Sequence, residues 1–270
     1  MAKLRVALCQ MPVSANKQSN LHQATIMLQD AAAGGAELVV LPEMFNCPYD
    51  IRCFRDYAES IPEGETIRYL ADRARSHKLY LVGGSIPELD NGRIYNTCTI
   101  FNPQGEIIAK HRKVHLFDVQ VKNGIEFKES QVLSPGHSHT IFETPWGKAG
   151  VQICYDIRFP ELTRKMARLG ARIVVVPAAF NMTTGPAHWE LLFRSRALDN
   201  EIFILGNSPA RNEQASYVAY GYSLAVNPWG QVIAQLEEKP GVLLVDLELD
   251  QVEEVRQYLP VWQQRREELY

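Results

Sequence analysis

Three stretches of the chain put a group able to do carbonyl chemistry at or near the end of an apolar run, where a rigid strand delivers a side chain to the edge of a sheet. In Val40-Leu41-Pro42-Glu43 a carboxylate stands at the mouth of a buried strand, and desolvation there would raise its pKa toward that of a useful general base. In His111-Arg112-Lys113-Val114-His115-Leu116-Phe117 an ammonium could stabilise negative charge developing on a carbonyl oxygen, or lower the pKa of a thiol. In Val151-Gln152-Ile153-Cys154-Tyr155-Asp156-Ile157-Arg158-Phe159-Pro160-Glu161 the cysteine stands where a strand ends and a helix is about to begin, a geometry that exposes nucleophiles. The positive end of that helix would help hold Cys154 as a thiolate. Each stretch has a plainer alternative: a solvated acid or helix cap for Glu43, a wet surface for the basic run, a packed core thiol for Cys154. Polar flanks and the strand-end position favour the catalytic reading of Cys154, while Cys9, Cys47, Cys53 and Cys98 read as structural.

Other chemistries lack their residues. His137 and His139 are spaced H-x-H without an H-E-x-x-H or a cysteine pair, so no metal site is expected. Neither G-x-G-x-x-G, nor a phosphate-binding G-x-x-x-x-G-K-[ST], nor G-x-S-x-G occurs, and the S-x-x-K match at Ser14-Ala15-Asn16-Lys17 is of a length that chance supplies. With 28 Lys and Arg against 31 Asp and Glu, a net charge of −3 and no dense basic run, a nucleic-acid surface is not expected. The longest apolar stretches, at 38–41 and 173–176, fall far below the ~20 residues a membrane span needs and read as buried strands. Met1-Ala2-Lys3-Leu4-Arg5-Val6 goes straight into a strand pattern without a signal-peptide core, and the five scattered cysteines contain no C-x-x-C, so a reducing, cytoplasmic setting is expected.

The elements that must position these groups alternate in type. A strand at 6–9 precedes a helix at 20–33, with Leu21, Ala24, Leu28 and Ala31 at helical spacing and Gly34-Gly35 as its stop. A strand at 38–41, a helix at 66–76 and a strand at 79–82 follow, an order that demands crossovers and a sheet covered by helices. The turns Asp90-Asn91-Gly92 and Asn102-Pro103-Gln104-Gly105 then flank a hairpin strand at 95–101. A second half repeats this grammar: residues 141–142, a turn at 144–147, a strand at 150–154, a helix opened by Pro160 and closed by Gly170, a strand at 173–176, a helix from about 187, and a strand at 202–205. The turn Asn227-Pro228-Trp229-Gly230 again joins hairpin strands. With 46% hydrophobic and 22% charged residues over 270 positions and no linker, the expectation is one α+β domain, 1–270, containing two sheets. Past Asp250 the tail reads as helical and polar, then as Leu259-Pro260-Val261-Trp262, a strap for another surface such as a second subunit.

Leu41-Pro42-Glu43, Arg112-Lys113-Val114-His115-Leu116 and Cys154-Tyr155-Asp156-Ile157-Arg158-Phe159-Pro160-Glu161 together resemble the Glu-Lys-Cys triad of the nitrilase, or carbon–nitrogen hydrolase, superfamily, in its order. Phe45-Asn46-Cys47-Pro48-Tyr49, Tyr95-Asn96-Thr97, Phe127-Lys128-Glu129-Ser130 and Thr183-Thr184-Gly185-Pro186 make the omega-amidase branch the closest likeness. The resemblance implies a four-layer α-β-β-α sandwich that forms homodimers, needs no cofactor, and hydrolyses the terminal amide of 2-oxoglutaramate or 2-oxosuccinamate. It implies Cys154 as nucleophile, Glu43 as general base, Lys113 as oxyanion stabiliser, Glu129 as a second glutamate that positions the lysine, and the Tyr155 main-chain N–H as oxyanion donor. Glu126 fits the second-glutamate pattern less well. A substrate of this kind keeps a free carboxylate, for which Arg158 is the candidate partner, with Tyr49, Phe117 and Phe180 as walls; a salt bridge and core packing are their alternatives. A related amidase acting on deaminated glutathione and a noncatalytic scaffold are the competing readings. Tyr155 following the cysteine, where nitrile-hydrolysing relatives have Trp, argues against nitriles.

Overall fold

The first strand alternates between two apolar faces, and that alternation sets the layering. In the computed structural model, which describes residues 3–122 and 125–269, Val6 and Leu8 join one buried cluster while Ala7 and Cys9 join another. Met1 and Ala2, which precede the strand expected at 6–9 and open the domain expected over 1–270, lie outside the described residues.

The first half contains β1 (Lys3–Gln10), α1 (Lys17–Ala33), β2 (Leu38–Val40), α2 (Phe54–Tyr57), α3 (Glu65–His77), β3 (Tyr80–Val82), β4 (Ile86–Asp90), β5 (Arg93–Phe101) and β6 (Ile107–Arg112), followed by a ribbon of β7 (Asp118–Gln120) and β8 (Glu126–Lys128). The second contains β9 (Thr140–Thr144), β10 (Gly147–Val151), α4 (Pro160–Arg168), β11 (Ala171–Pro177), α5 (Gly185–Asn200), β12 (Phe203–Asn207), β13 (Leu224–Val226), β14 (Val232–Gln235), β15 (Gly241–Glu248) and α6 (Gln251–Tyr258). A seven-stranded sheet runs β15-β1-β2-β3-β5-β4 with β6 also on β5, and a six-stranded sheet runs β14-β13-β12-β11-β10-β9.

Ala7, Cys9, Val39 and Leu81 pack against Leu21, Ala24 and Leu28 of α1 and Ile67 and Leu70 of α3. The opposite face, with Val6, Leu8, Val40 and Ile100, shares one core with Val151, Val174 and Ile204 of the second sheet and with Met166, Trp189 and Phe193 of α4 and α5. Helix, sheet, sheet and helix therefore stack as the four expected layers. Helix α1 starts where a side chain satisfies an orphan N–H, Asn16 accepting from Ser19 N–H at 2.9 Å, and the turn that leads into α5 is closed by Asn181, which accepts from Thr183 and Thr184 N–H.

Several boundaries differ from the sequence reading. The strand expected to carry Cys154 ends at Val151, because the chain leaves the sheet at Gln152 and tightens into a 3₁₀ turn, Cys154–Arg158. Helix α5 begins at Gly185 rather than near 187, since Thr-Thr-Gly-Pro reads as a turn but Pro186 suits a first helical turn. The edge strand β15, antiparallel to β1, was not expected at all. Its second half, Val245-Asp246-Leu247-Glu248, alternates as a strand does, with the outward Asp246 paired to Arg5 and Lys3, so the signal is present in the sequence. In the tail, Trp262 docks on its own chain, its Nε1 donating to Asn200 O at 3.2 Å between the guanidinium groups of Arg164 and Arg256.

The topology sends the strand ends that matter to one edge. Strands β1, β2 and β3 are parallel, β6 regains their direction through β5, and β10, β11 and β12 are parallel in the other sheet. At that edge the sheets are tied by Asn207, whose Nδ2 donates to Cys9 O at 3.2 Å and Val40 O at 2.8 Å. The chain leaving β2 is held by Gly84, at φ +60°, where an added Cβ would lie 2.2 Å from Pro42 O. Gly84→Ala must therefore displace the turn that carries Glu43, and it should cost about 2–4 kcal/mol of stability. Thermal unfolding checks this; an unchanged Tm contradicts it.

Candidate active site

Glu43 reaches the edge on a pinned turn. Leu41 N–H donates to Val82 O, Met44 N–H donates to Ser85 Oγ, and Phe45 N–H donates to Ser85 O. Lys113 leaves β6 with its N–H on Asn96 O at 2.8 Å and its C=O accepting from Gly136 N–H at 2.8 Å. Cys154 opens the 3₁₀ turn at φ +46°, a left-handed conformation that costs a non-glycine residue energy and is held by its surroundings. Glu129 begins another 3₁₀ turn, just past the β7–β8 ribbon.

These side chains meet. The Lys113 ammonium, fully buried, donates to Glu43 Oε1 at 3.0 Å and to Glu129 Oε1 at 2.9 Å. Asn96 Nδ2 donates to the same Glu43 oxygen at 2.8 Å. The Tyr49 hydroxyl donates to Glu129 Oε1 at 2.6 Å and lies 3.3 Å from Lys113 Nζ. Glu129 Oε2 accepts from Phe117 N–H at 2.7 Å, fixing the second carboxylate from its far side. Among the described residues Glu43 Oε2 has no hydrogen bond of standard geometry, which leaves it for the Cys154 thiol beside it.

Burial dominates the electrostatics, and the charges then sort themselves. Desolvation raises the Glu43 pKa; Lys113 opposes the rise and the nearby Glu129 charge reinforces it. Desolvation works against the Lys113 ammonium, but Glu129 and Glu43 outweigh it and keep the amine protonated. The Cys154 thiol is pushed well above its ordinary value by burial and by Glu43, with Lys113 and the Ala179 N–H opposing. This corrects the expectation of a thiolate held by a helix start: dry surroundings outweigh the partial charge of one short turn, so the resting group is a thiol with an acceptor next to it. The basic run is no wet surface, since His111 and Lys113 are buried and Arg112 pairs with Glu88.

Cys154 opens on a small cleft lined also by Phe117, Tyr155, Arg158, Ala179, Phe180, Thr184 and Tyr217. Tyr155 is the second residue of its turn, where an N–H lacks an intrahelical acceptor. The Arg158 guanidinium lies 4.9 Å over the Phe180 ring and 3.2 Å from His188 Nδ1, and no carboxylate among the described residues pairs with it. Its salt-bridge alternative is therefore absent there. Tyr49 lines not this cleft but an adjoining cavity of about 310 Å³, reached past Ala179 and Tyr217, which both spaces share. Glu126 is exposed. Cys9, Cys47 and Cys98 are buried free thiols, and Cys53 is partly exposed at the cavity wall.

Two residues at the site were not singled out from the sequence for a role there. Asn96 sat inside a recognised string without a role, and its asparagine between β-branched and aromatic strand residues was the available signal. Tyr217, whose hydroxyl donates to Ala179 O at 2.6 Å and whose ring stands 4.6 Å from that of Tyr49, lies in a polar loop with no periodicity to expose it.

A thiol beside a buried carboxylate, with a permanent cation on the same carboxylate, can transfer its proton and attack a carbonyl whose oxygen the cation and a free N–H receive. Known proteins agree with that chemistry. A family model described as carbon-nitrogen hydrolase matches residues 5–257. The omega-amidase NIT2 of Xenopus tropicalis is 51% identical over 270 residues, covering 100% of this chain and 98% of its own. The crystal structure of Saccharomyces cerevisiae Nit3, a member of branch 10 of the nitrilase superfamily, superposes with a TM-score of 0.91 at 44% identity, covering 98% of this chain and 97% of that one. A mutant amidase from Nesterenkonia sp. AN1, 28% identical with a TM-score of 0.78 over 95% of this chain and 98% of its own, shows acrylamide added at its active-site cysteine. By the span of that family model and the full-length likeness to these relatives, the chain belongs to the carbon–nitrogen hydrolase family.

Proposed function

We propose that this enzyme is an omega-amidase, releasing ammonia from the terminal amide of 2-oxoglutaramate or 2-oxosuccinamate. The observation that carries the substrate class is Arg158: a guanidinium in the Cys154 cleft, without a carboxylate partner among the described residues, suits the free carboxylate of such a substrate through two parallel hydrogen bonds. Phe117 and Phe180 would wall the carbon chain, and Tyr49 would close the site through Glu129.

The mechanism follows from the charges. Glu43 takes the thiol proton as Cys154 attacks the amide carbon, and the oxygen gathers negative charge between Lys113 and the Tyr155 N–H. Collapse breaks the C–N bond; Glu43 passes the proton to the leaving nitrogen, and ammonia departs from a thioester. Water, deprotonated by the same carboxylate, then releases the keto-dicarboxylate. Glu129 holds Lys113 in line throughout. The core shared by both sheets supports a single hydrolase domain, and the free cysteines support a cytoplasmic setting. Exposed Tyr258, Leu259 and Val261 of the tail, with Leu191 and Leu198 of α5, support a homodimer.

Arg158→Ala should lower kcat/KM for 2-oxoglutaramate by about 10- to 100-fold while leaving a neutral amide such as butyramide nearly unaffected; ammonia release reads both. Equal losses on the two substrates contradict the assignment, and so does a parent enzyme that prefers the amide of deaminated glutathione. Glu43 must be ionised to accept the proton, and its pKa is raised by burial, so activity is present above that raised value and lost as pH falls through it. The acid limb of kcat/KM should therefore lie above the ordinary carboxylate range, and a limb within that range contradicts the role of Glu43.

A further inference from the structure

Asp156, two residues past Cys154, is fully buried and has no part in the steps above. Its carboxylate is saturated. Oδ1 accepts from Val114 N–H at 3.2 Å, His115 N–H at 2.9 Å and His115 Nδ1 at 2.8 Å. Oδ2 accepts from His111 Nε2 and Ile153 N–H, both at 3.1 Å. Burial pushes its pKa up, but the ring N–H groups of His111 and His115 prevail and hold it far below the ordinary carboxylate value, so it is ionised.

The donors come from two places. Ile153 immediately precedes the nucleophile, whereas His111, Val114 and His115 bracket Lys113. Among the described residues, the hydrogen bonds of Lys113 itself tie it elsewhere: its main chain to Asn96 and Gly136, its ammonium to Glu43, Glu129 and Tyr49. Glu43 faces both the ammonium and the sulfur, and the rings of His115 and Phe117 meet those of Phe159 and Tyr155, but these are side-chain contacts. Among the described hydrogen bonds, the Asp156 carboxylate is the one that ties the main chain on both sides, at Val114 and His115 beside the cation and at Ile153 beside the sulfur.

We propose that Asp156 is a positioning residue, locking the segment that carries Lys113 onto the nucleophile turn so that ammonium and sulfur keep one separation throughout the reaction. The inference rests on Lys113 and Cys154 having the roles given above. In Asp156→Asn the side chain keeps its shape, but its NH₂ group faces a main-chain N–H in either position, Val114 and His115 on one side or Ile153 on the other, and the segment shifts. A misplacement of about 1 Å costs a reaction that depends on alignment about 100-fold.

The test uses two electrophiles on the full-length enzyme, with modification of the Cys154 peptide followed by mass spectrometry. Acrylamide forms an S–C bond at its terminal carbon while its amide oxygen carries the negative charge, and the thiol proton ends on the neighbouring carbon; this step needs Lys113. Methyl methanethiosulfonate forms an S–S bond and expels methanesulfinate, with no carbonyl oxygen to stabilise. Asp156→Asn should slow acrylamide addition about 100-fold and thiosulfonate exchange far less. His115→Ala, which removes one donor from a half-buried position, should show the same selectivity at about a tenth of the size and decides the matter if Asp156→Asn does not fold. Equal slowing with both reagents, or no slowing, overturns the proposal. A parent enzyme that adds acrylamide no faster than a free thiol overturns the catalytic reading and this inference with it.

Discussion

A lysine with no access to water, held between two carboxylates, is the constraint on which the rest of this structure depends. Lys113 lies about equally far from Glu43 and Glu129, and all three side chains are buried. Removing one partner from a buried ion pair costs about 3–5 kcal/mol, because it strands a charge in a dry environment. The set is tolerable only when complete, and completing it requires the ends of β2 and β6 and the turn after the ribbon to converge at one edge. Asn96, the Tyr49 hydroxyl and the main-chain N–H of Phe117 supply further hydrogen bonds, so neither carboxylate depends on the lysine alone.

The same burial explains how a poor nucleophile is made useful. A thiol kept protonated at rest is protected from stray electrophiles, and its proton has a nearby destination in a carboxylate whose own pKa is raised by the same dry surroundings. Proton transfer between groups shifted in one direction needs less driving force than transfer to an ordinary carboxylate. The lysine makes the opposite contribution: it never titrates in the working range, so it can meet negative charge on a carbonyl oxygen without proton traffic of its own.

Much of this was legible in the residues. Apolar runs ending in Glu43 and approaching Cys154 marked the strand edge, and helical spacing over 20–33 with Gly34-Gly35 behind it foresaw α1 closely. Less legible were features set by distant neighbours. That Cys154 would sit beyond the strand in a left-handed turn could not be read locally, because that turn is held by partners distant in the chain, Asp156 accepting from Ile153 N–H and from His111 and His115. The burial of His111 and Lys113 was hidden by their charge, since nothing in a basic run says that acids separated from it by tens of residues will be waiting. Tyr217 came from a loop without period, whereas β15 carried a legible alternation in Val245-Asp246-Leu247-Glu248 that its apolar start, Val242-Leu243-Leu244, obscures.

The most direct test of the central claim is single-turnover acylation of Cys154 by 2-oxoglutaramate, read as acyl mass on its peptide, in the parent enzyme and in Lys113→Met. The account predicts a thioester on the parent within one turnover and acylation about 10²- to 10³-fold slower in the variant. Equal acylation rates in the two proteins, or an acyl group found on some other residue, would contradict it.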